Sequence, residues 1–209
     1  MNIVRTPKQE RSQRRRDALL QAAAELIAEG GLHAVTHRAV AARAGLPSST
    51  AGYFFASIND LAAEALRVRV RQTVNDFLEL IDPAVDADGL TNAVGHLAVD
   101  RQVELAQVSL YLEAGRNPAL RGPVAEAMEI NRGLAEKLLT SVGLPNAAAA
   151  SSAFVALFQG FMLQHLATPD SPPSPDDLVD ALRALLAGYL LTEDERQNLQ
   201  QRLRVDPTA

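Results

Sequence analysis

Apolar residues recur along most of this chain every three or four positions, the spacing that gives a helix one buried face. Leu19, Ala23, Leu26 and Ile27 predict a first helix over 14–29, ended by Gly30-Gly31, since glycine tolerates the left-handed position past a helix end. Thr36 can cap a second helix over 36–44, and a third, very short one fits 48–54. Ser57 with Asp60 three residues on resembles a capping box with Asp in place of Glu. It opens a long helix to about Leu80. Within that helix Leu66-Arg-Val-Arg-Val alternates like a strand, but Leu66, Val70, Val74, Phe77 and Ile81 continue a helical stripe and the length favours helix. Asp82-Pro83 stops it.

The second half reads the same way. Leu90, Val94 and Leu97 mark one helix and 103–113 another. Asn117-Pro118 and Gly122-Pro123 punctuate, so the next helix is expected over 124–140. Gly143-Leu144-Pro145 breaks it, with Asn146 a candidate cap for 147–167, which is apolar nearly all round. "TPDSPPSPD" is the clearest loop. Ser174 as cap with Pro175 in the first helical position starts a helix to about Leu191. Thr192 with Glu195 forms a capping box for a last helix to Arg204. The expected fold is all-α, with nine or ten helices, no internal repeat and no sheet.

Composition narrows the function. The chain has 209 residues, 47% hydrophobic and 22% charged, with no cysteine. Disulfides, thiolate metal sites and cysteine nucleophiles are excluded, and a reducing, cytoplasmic setting is expected. No uninterrupted apolar run of 18 residues suggests a membrane span, and the Arg-rich start lacks the apolar segment of a secretory signal. The net charge of −5 hides an asymmetry: residues 1–71 carry 11 Lys and Arg against 6 Asp and Glu, the remainder 9 against 19. A basic front on an acidic body points to a polyanion at one end.

Enzyme chemistry finds little support. Gly30, Ala34, Ala93 and Met162 stand three residues before the four histidines, so the Glu-x-x-His pairs of a di-iron bundle are absent. His33 and His37 stand four apart, but Ala34 follows where a His-Glu-x-x-His zinc motif has Glu, and no P-loop, GxGxxG or Gly-x-Ser-x-Gly occurs. Neither a catalytic residue, a metal ligand nor a cofactor is assigned.

The stretch "THRAVAARAGLPSSTAGYFF", residues 36–55, carries the strongest signal. In a helix-turn-helix one helix braces and the next enters the major groove. Ala41 is small where the two must touch, and Gly45, four residues on, can supply the turn. Val40, Ala44, Leu46, Ala51 and Phe54 can face inward. Ser48, Ser49 and Thr50 are short and polar at the leading end of the second helix, where their hydroxyls can reach bases or phosphates. The alternative is a plain helical hairpin capped by serine.

With the amphipathic helix before it and "YFFASINDL" after it, the stretch from about Arg14 to Leu66 resembles the TetR family of bacterial transcriptional regulators. The resemblance implies a DNA-binding head over 1–57 and a ligand-binding and dimerisation domain over 58–209. It places Thr36, His37 and Arg38 beside DNA, Ser48, Ser49 and Thr50 at base and phosphate positions, Tyr53 on the phosphate backbone and Phe55 as the buried aromatic. Three positions depart from the family pattern. Pro47 replaces the usual cap, Gly52 an aromatic, and Ile58 a lysine. Arg14, Arg15 and Arg16, with Arg5, Lys8 and Arg11 on a flexible arm, are expected to compensate. The resemblance also implies a homodimer on double-stranded DNA, released by a small-molecule effector. Phe154, Phe161, Leu178, Leu182, Leu185 and Tyr189 are the candidate dimer residues. Gln107, Tyr111, Asn131, Phe158, Gln159, Met162 and His165 are the candidate effector contacts. The competing expectation is a helical interaction protein that has lost specific DNA binding.

Overall fold

The computed structural model describes residues 7–80, 85–97 and 100–203, and these are all-helical, without a strand. Ten α-helices follow in order: α1 Pro7–Gly30, α2 His37–Arg43, α3 Ser49–Phe54, α4 Ile58–Leu80, α5 Ala87–Gly95, α6 Arg101–Arg116, α7 Pro118–Ser141, α8 Ala147–Ala167, α9 Pro175–Leu190 and α10 Glu193–Leu203. A 3₁₀ turn, Leu32–Ala34, joins α1 to α2. Arg5, Ile81, Asp82-Pro83 and Arg204, and the side chain of Phe77, lie outside the described residues.

The helix ends follow local chemistry. Gly31, at φ 67, ends α1. Thr36 accepts from the Ala39 amide at 3.0 Å and starts α2. Ser57 accepts from the Asp60 amide at 3.1 Å while its hydroxyl donates to the Asp60 carboxylate at 2.8 Å. Ser174 and Asp177 make a reciprocal capping box with Pro175 in the first turn of α9. Thr192 and Glu195 repeat the device for α10.

Three local expectations are corrected. The first helix already includes Pro7, seven residues before the expected start, and a helix tolerates proline in its first turn. Lys8 and Arg11 therefore ride on a helix rather than a flexible arm. Gly122-Pro123 does not break α7, which runs through it. Pro123 stands early in the helix, so the single hydrogen bond it forfeits falls near an end that is already under-bonded. Asn146 adopts φ 58, and it is its carbonyl that accepts from the Ala149 and Ala150 amides.

Two compact units share the chain. One comprises residues 1–80, 98–131 and 162–172. Its core is built from Leu19, Ala23 and Ile27 of α1, Val40 and Ala41 of α2, Ala51 of α3, Leu61, Leu66 and Val70 of α4, Ala106 and Leu110 of α6, and Leu120 and Ala127 of α7. Leu19, Ala23 and Ile27 of the predicted α1 stripe and Leu66 and Val70 of the α4 stripe thus face inward, with Leu26 and Val74 half-buried. The other unit comprises 81–97, 132–161 and 173–209. Leu90 and Val94 of α5, Leu138 and Leu139 of α7, Phe154 of α8, and Leu178, Leu182 and Leu186 of α9 are buried there. Helices α5 and α9 cross closely at Gly95: a methyl at that position would run into Val179 and lie 3.3 Å from the Pro175 carbonyl. Among the described residues α8 alone has the length and hydropathy of a membrane-crossing helix, and its Ala150, Phe154, Phe161, Met162 and Leu166 are buried within the protein.

Candidate nucleic-acid interface

The turn between α2 and α3 is built as the sequence required. Gly45 takes φ 66, a conformation a side chain disfavours. Its amide bonds back to the Ala42 carbonyl at 3.1 Å, and the Leu46 amide to Ala41 at 2.9 Å. Ala41 and Ala51 are fully buried where α2 and α3 meet the core. Phe55 is buried as well, and the Arg16 guanidinium lies 5.4 Å over its ring. Arg16 also pairs with Glu64 at 3.2 Å. Of the three consecutive arginines it is therefore the one turned to structural use.

Helix α3 presents the opposite face outward. Ser48 and Ser49 are exposed and Thr50 is half-buried. Ser48 stands at the cap position, but its hydroxyl makes no cap hydrogen bond, so it stays available. Tyr53 is 82% exposed, a large cost for an aromatic with no partner to cover it. Its ring meets Phe54 edge-on at 5.1 Å, which fixes its direction. Ser49, Thr50, Tyr53 and Phe54 form one wall of an open groove whose other wall is Lys8, Arg11, Ser12 and Arg15 of α1. These four recur at helical spacing, so the early start of α1 is what aligns them. Arg14 is exposed on the same helix.

At the start of α2 the three candidates diverge. Thr36 spends its hydroxyl oxygen as the helix cap. Arg38 is exposed and makes no ion pair among the described residues. The Nε2 atom of His37 is covered and lacks a hydrogen-bond partner. Its Nδ1 is the nearest group to where a side chain on Gly52 would begin, at 3.8 Å. Ile58 is half-buried and packs against the core; it serves packing where a lysine would reach outward. Arg43, at the end of α2, is tied to α1 by two bonds to Glu29, at 2.7 and 2.8 Å, and one to Glu25 at 3.3 Å. The Arg43 hydrogen bond holds the Glu29 carboxyl below its ordinary range, and Glu29 in turn raises the guanidinium.

The candidate effector residues fall in two groups. Gln107, Tyr111, Asn131, Met162 and His165 belong to the first unit, Phe158 and Gln159 to the second. Asn131 donates to the Tyr111 hydroxyl at 3.4 Å, joining α7 to α6. Gln107 lines a cavity of about 10 Å³ with Ile27, Leu66 and Leu110, which holds about one water and no effector. Met162 is buried and His165 exposed. Phe158 is half-buried, and the Nε2 atom of Gln159 is covered and without a partner.

The candidate dimer residues divide into two sets. Phe154, Phe161, Leu178 and Leu182 are buried within their own chain, because an apolar stripe reads alike whether it meets a core or a second subunit. Leu185 and Tyr189 stay partly outside. With Asn146, Ala149, Ala184 and Gly188 they line an open groove, across which the Tyr189 hydroxyl donates to the Ala149 carbonyl at 3.3 Å.

A two-helix reading head with a basic wall beside it defines a helix-turn-helix DNA-binding protein. Residues 19–65 match the description "Bacterial regulatory proteins, tetR family", and residues 81–188 match "Tetracyclin repressor-like, C-terminal domain". The chain belongs to the TetR family of transcriptional regulators. A TetR-family member from Streptomyces coelicolor A3 is 31% identical over 82% of this chain and 97% of its own, with a TM-score of 0.66. The multidrug binding protein EbrR, solved with ethidium, is 30% identical over 82% and 98%, with a TM-score of 0.66. A transcriptional regulator from Rhodococcus sp. Rha1, 23% identical over 84% and 95%, shares the fold with a TM-score of 0.68. No curated protein sequence matches.

Proposed function

We propose that this chain is a cytoplasmic, homodimeric repressor that holds a palindromic operator and leaves it when a small molecule binds the helical domain. The head is assigned to residues 1–57 and the effector and dimerisation domain to 58–209. One observation carries the reading. Ser49 and Tyr53 stand uncovered on α3, with Ser48 exposed just before it, and the basic residues Lys8, Arg11 and Arg15 line a groove with Ser49 and Tyr53. A core or a plain hairpin gives no reason for that combination, whereas a duplex supplies phosphates for the cations and base edges for the hydroxyls.

One such helix covers only a few base pairs. Two related by a twofold axis read half-sites roughly 34–36 Å apart. The outward residues Ala184, Leu185, Gly188 and Tyr189 of α9 and Ala149 of α8 suit the contact, since small side chains let helices approach closely. EbrR is a multidrug binding protein solved with ethidium and with proflavin. That likeness supports a small organic effector here, with Tyr111, Asn131 and Met162 among its contacts.

The test is a salt series on DNA upstream of the gene and its neighbours, with sedimentation to give the assembly. Affinity is expected to fall with a log–log slope of about −0.9 per phosphate neutralised, and the bound species to contain two chains. Salt-insensitive binding, or a monomer on DNA, would favour a helical interaction protein instead.

A further inference from the structure

We propose that Arg43 of α2 is a positioning residue for DNA binding. Its fork on Glu29 of α1 holds the basic wall of α1 at a fixed angle to α3 and keeps the groove between them shaped for a duplex. The inference rests on the DNA-binding reading above and names the residue that sets the geometry of that site.

Packing anchors the reading helices only lightly. Helix α2 buries Val40 and Ala41, and α3 buries Ala51, with Ala44, Leu46 and Phe54 half-buried beside them. Apolar contact is non-directional, so a few mostly small side chains decide that the helices touch and leave their angle loosely set. A guanidinium fork supplies the direction. Two nitrogens of Arg43 donate to the two Glu29 oxygens at 2.8 and 2.7 Å. Glu25, one turn earlier on α1, takes a third contact at 3.3 Å. Bidentate pairing is geometrically demanding, so these bonds fix α2 against one face of α1 in orientation as well as in place.

Helix α1 turns that contact into a lever. Arg16 fastens α1 to Glu64 of α4 at 3.2 Å, and lies about 20 Å from Glu29 along the helix axis. Lys8, in the groove wall, is about 12 Å beyond Arg16 on the other side. A tilt at the Glu29 end therefore swings Lys8 and Arg11 towards or away from Ser49 and Tyr53.

Two other roles for Arg43 fit less well. As a phosphate contact it would be poorly placed, because two carboxylates already engage it and would repel a phosphate brought beside them. Arg38, on the same helix, is exposed and has no ion pair among the described residues. A bridge that only adds stability would leave the DNA affinity of the folded protein unchanged.

Two substitutions separate position from charge. Glu29→Gln removes a negative charge from the head, and by electrostatics alone it would tighten DNA binding. Arg43→Lys keeps the charge and loses the fork. Fluorescence anisotropy on upstream DNA, at a temperature where circular dichroism shows both variants folded, is expected to give at least a fivefold loss of affinity for each. The double variant is expected to lose no more than the weaker-binding single one, because both break one interaction. Unchanged or tighter binding by Glu29→Gln overturns the proposal, as does Arg43→Lys binding like wild type.

A second measurement needs no DNA. The chain has no cysteine, so Ser12→Cys and Ser48→Cys carry spin labels at two sites alone, one in the α1 wall and one just before α3. Their separation is expected to be narrowly distributed with Glu29 present and broadened by Glu29→Gln. Salt-sensitive DNA binding that Glu29→Gln leaves intact removes the clamp and keeps the regulator. A wild type without salt-sensitive DNA binding removes the regulator, and the label separation then decides the clamp: broadening upholds it and an unchanged distribution overturns it.

Discussion

The Nε atom of Arg67 on α4 donates to Glu126 on α7 at 2.6 Å, across 59 positions of sequence. Arg67 also reaches Glu64 at 3.6 Å, and Glu64 is the residue that holds Arg16 of α1. Arg71 lies 3.8 Å from Glu126. A continuous chain of charges therefore runs from the guanidinium stacked on Phe55, in the reading head, through α4 to α7. The Glu126 hydrogen bond raises the Arg67 guanidinium above its ordinary value, as a charge-assisted bond should.

The Arg67–Glu126 pair is partly open to solvent, so its worth is modest. A double-mutant cycle with Arg67→Met and Glu126→Gln, followed by urea unfolding, is expected to give a coupling of about 0.5–1 kcal/mol. Each single change is expected to lower stability by no more than about 1–1.5 kcal/mol. A coupling indistinguishable from zero would mean that the pair is merely adjacent.

Two glycine-to-alanine changes are expected to act with opposite sign. Gly52 sits inside α3 with nothing nearer than 3.8 Å to the added methyl, so Gly52→Ala should stabilise by about 0.4–1 kcal/mol. At Gly95 the same methyl meets Val179 and the Pro175 carbonyl, so Gly95→Ala should destabilise by about 1–3 kcal/mol. Thermal melts of the two variants beside wild type decide both.

On DNA, Arg38→Ala is expected to relax base preference at one position per half-site, at a cost of about 1–3 kcal/mol, because Arg38 is unpaired and exposed. Tyr53→Phe and Lys8→Ala should weaken every sequence about equally, and Lys8→Ala should also reduce the salt slope by about one. Binding measured on a randomised operator pool distinguishes the two patterns. A uniform loss for Arg38→Ala would make it a phosphate contact.

Burial holds the Glu104 proton more tightly in the folded chain than in the unfolded one, raising its pKa from 4.5 to about 6. The folded state then binds the extra proton between those values, so this group lowers stability as pH rises through that window and costs a constant amount above it. The full penalty is about 2 kcal/mol. The stability of Glu104→Gln relative to wild type is expected to grow from pH 4.5 to about 6.5 and then level off. Parallel urea titrations across that range measure it, and a difference that does not change with pH would place Glu104 in water.

The head was legible in the sequence because its constraints are local. Gly45 had to turn, Ala41 had to be small, Thr36 and Ser57 had to cap, and each requirement is met within four residues by backbone geometry. The first two turns of α1 were not legible: the apolar spacing begins only at Leu19, and the turns before it are polar and charged, so no buried stripe marks them.

What the chain alone determined is therefore its helices, their caps and the outward hydroxyls of α3. Only the tertiary structure decided which side of an apolar helix faces its own core: Phe154 and Leu182 went inward while Leu185 and Tyr189 stayed out. It also decided that Glu104 is buried while Arg101 bonds elsewhere, and that Arg67 meets Glu126. Periodicity tells a helix which face is apolar. It carries no information about what covers that face, since burial is set by partners distant along the chain.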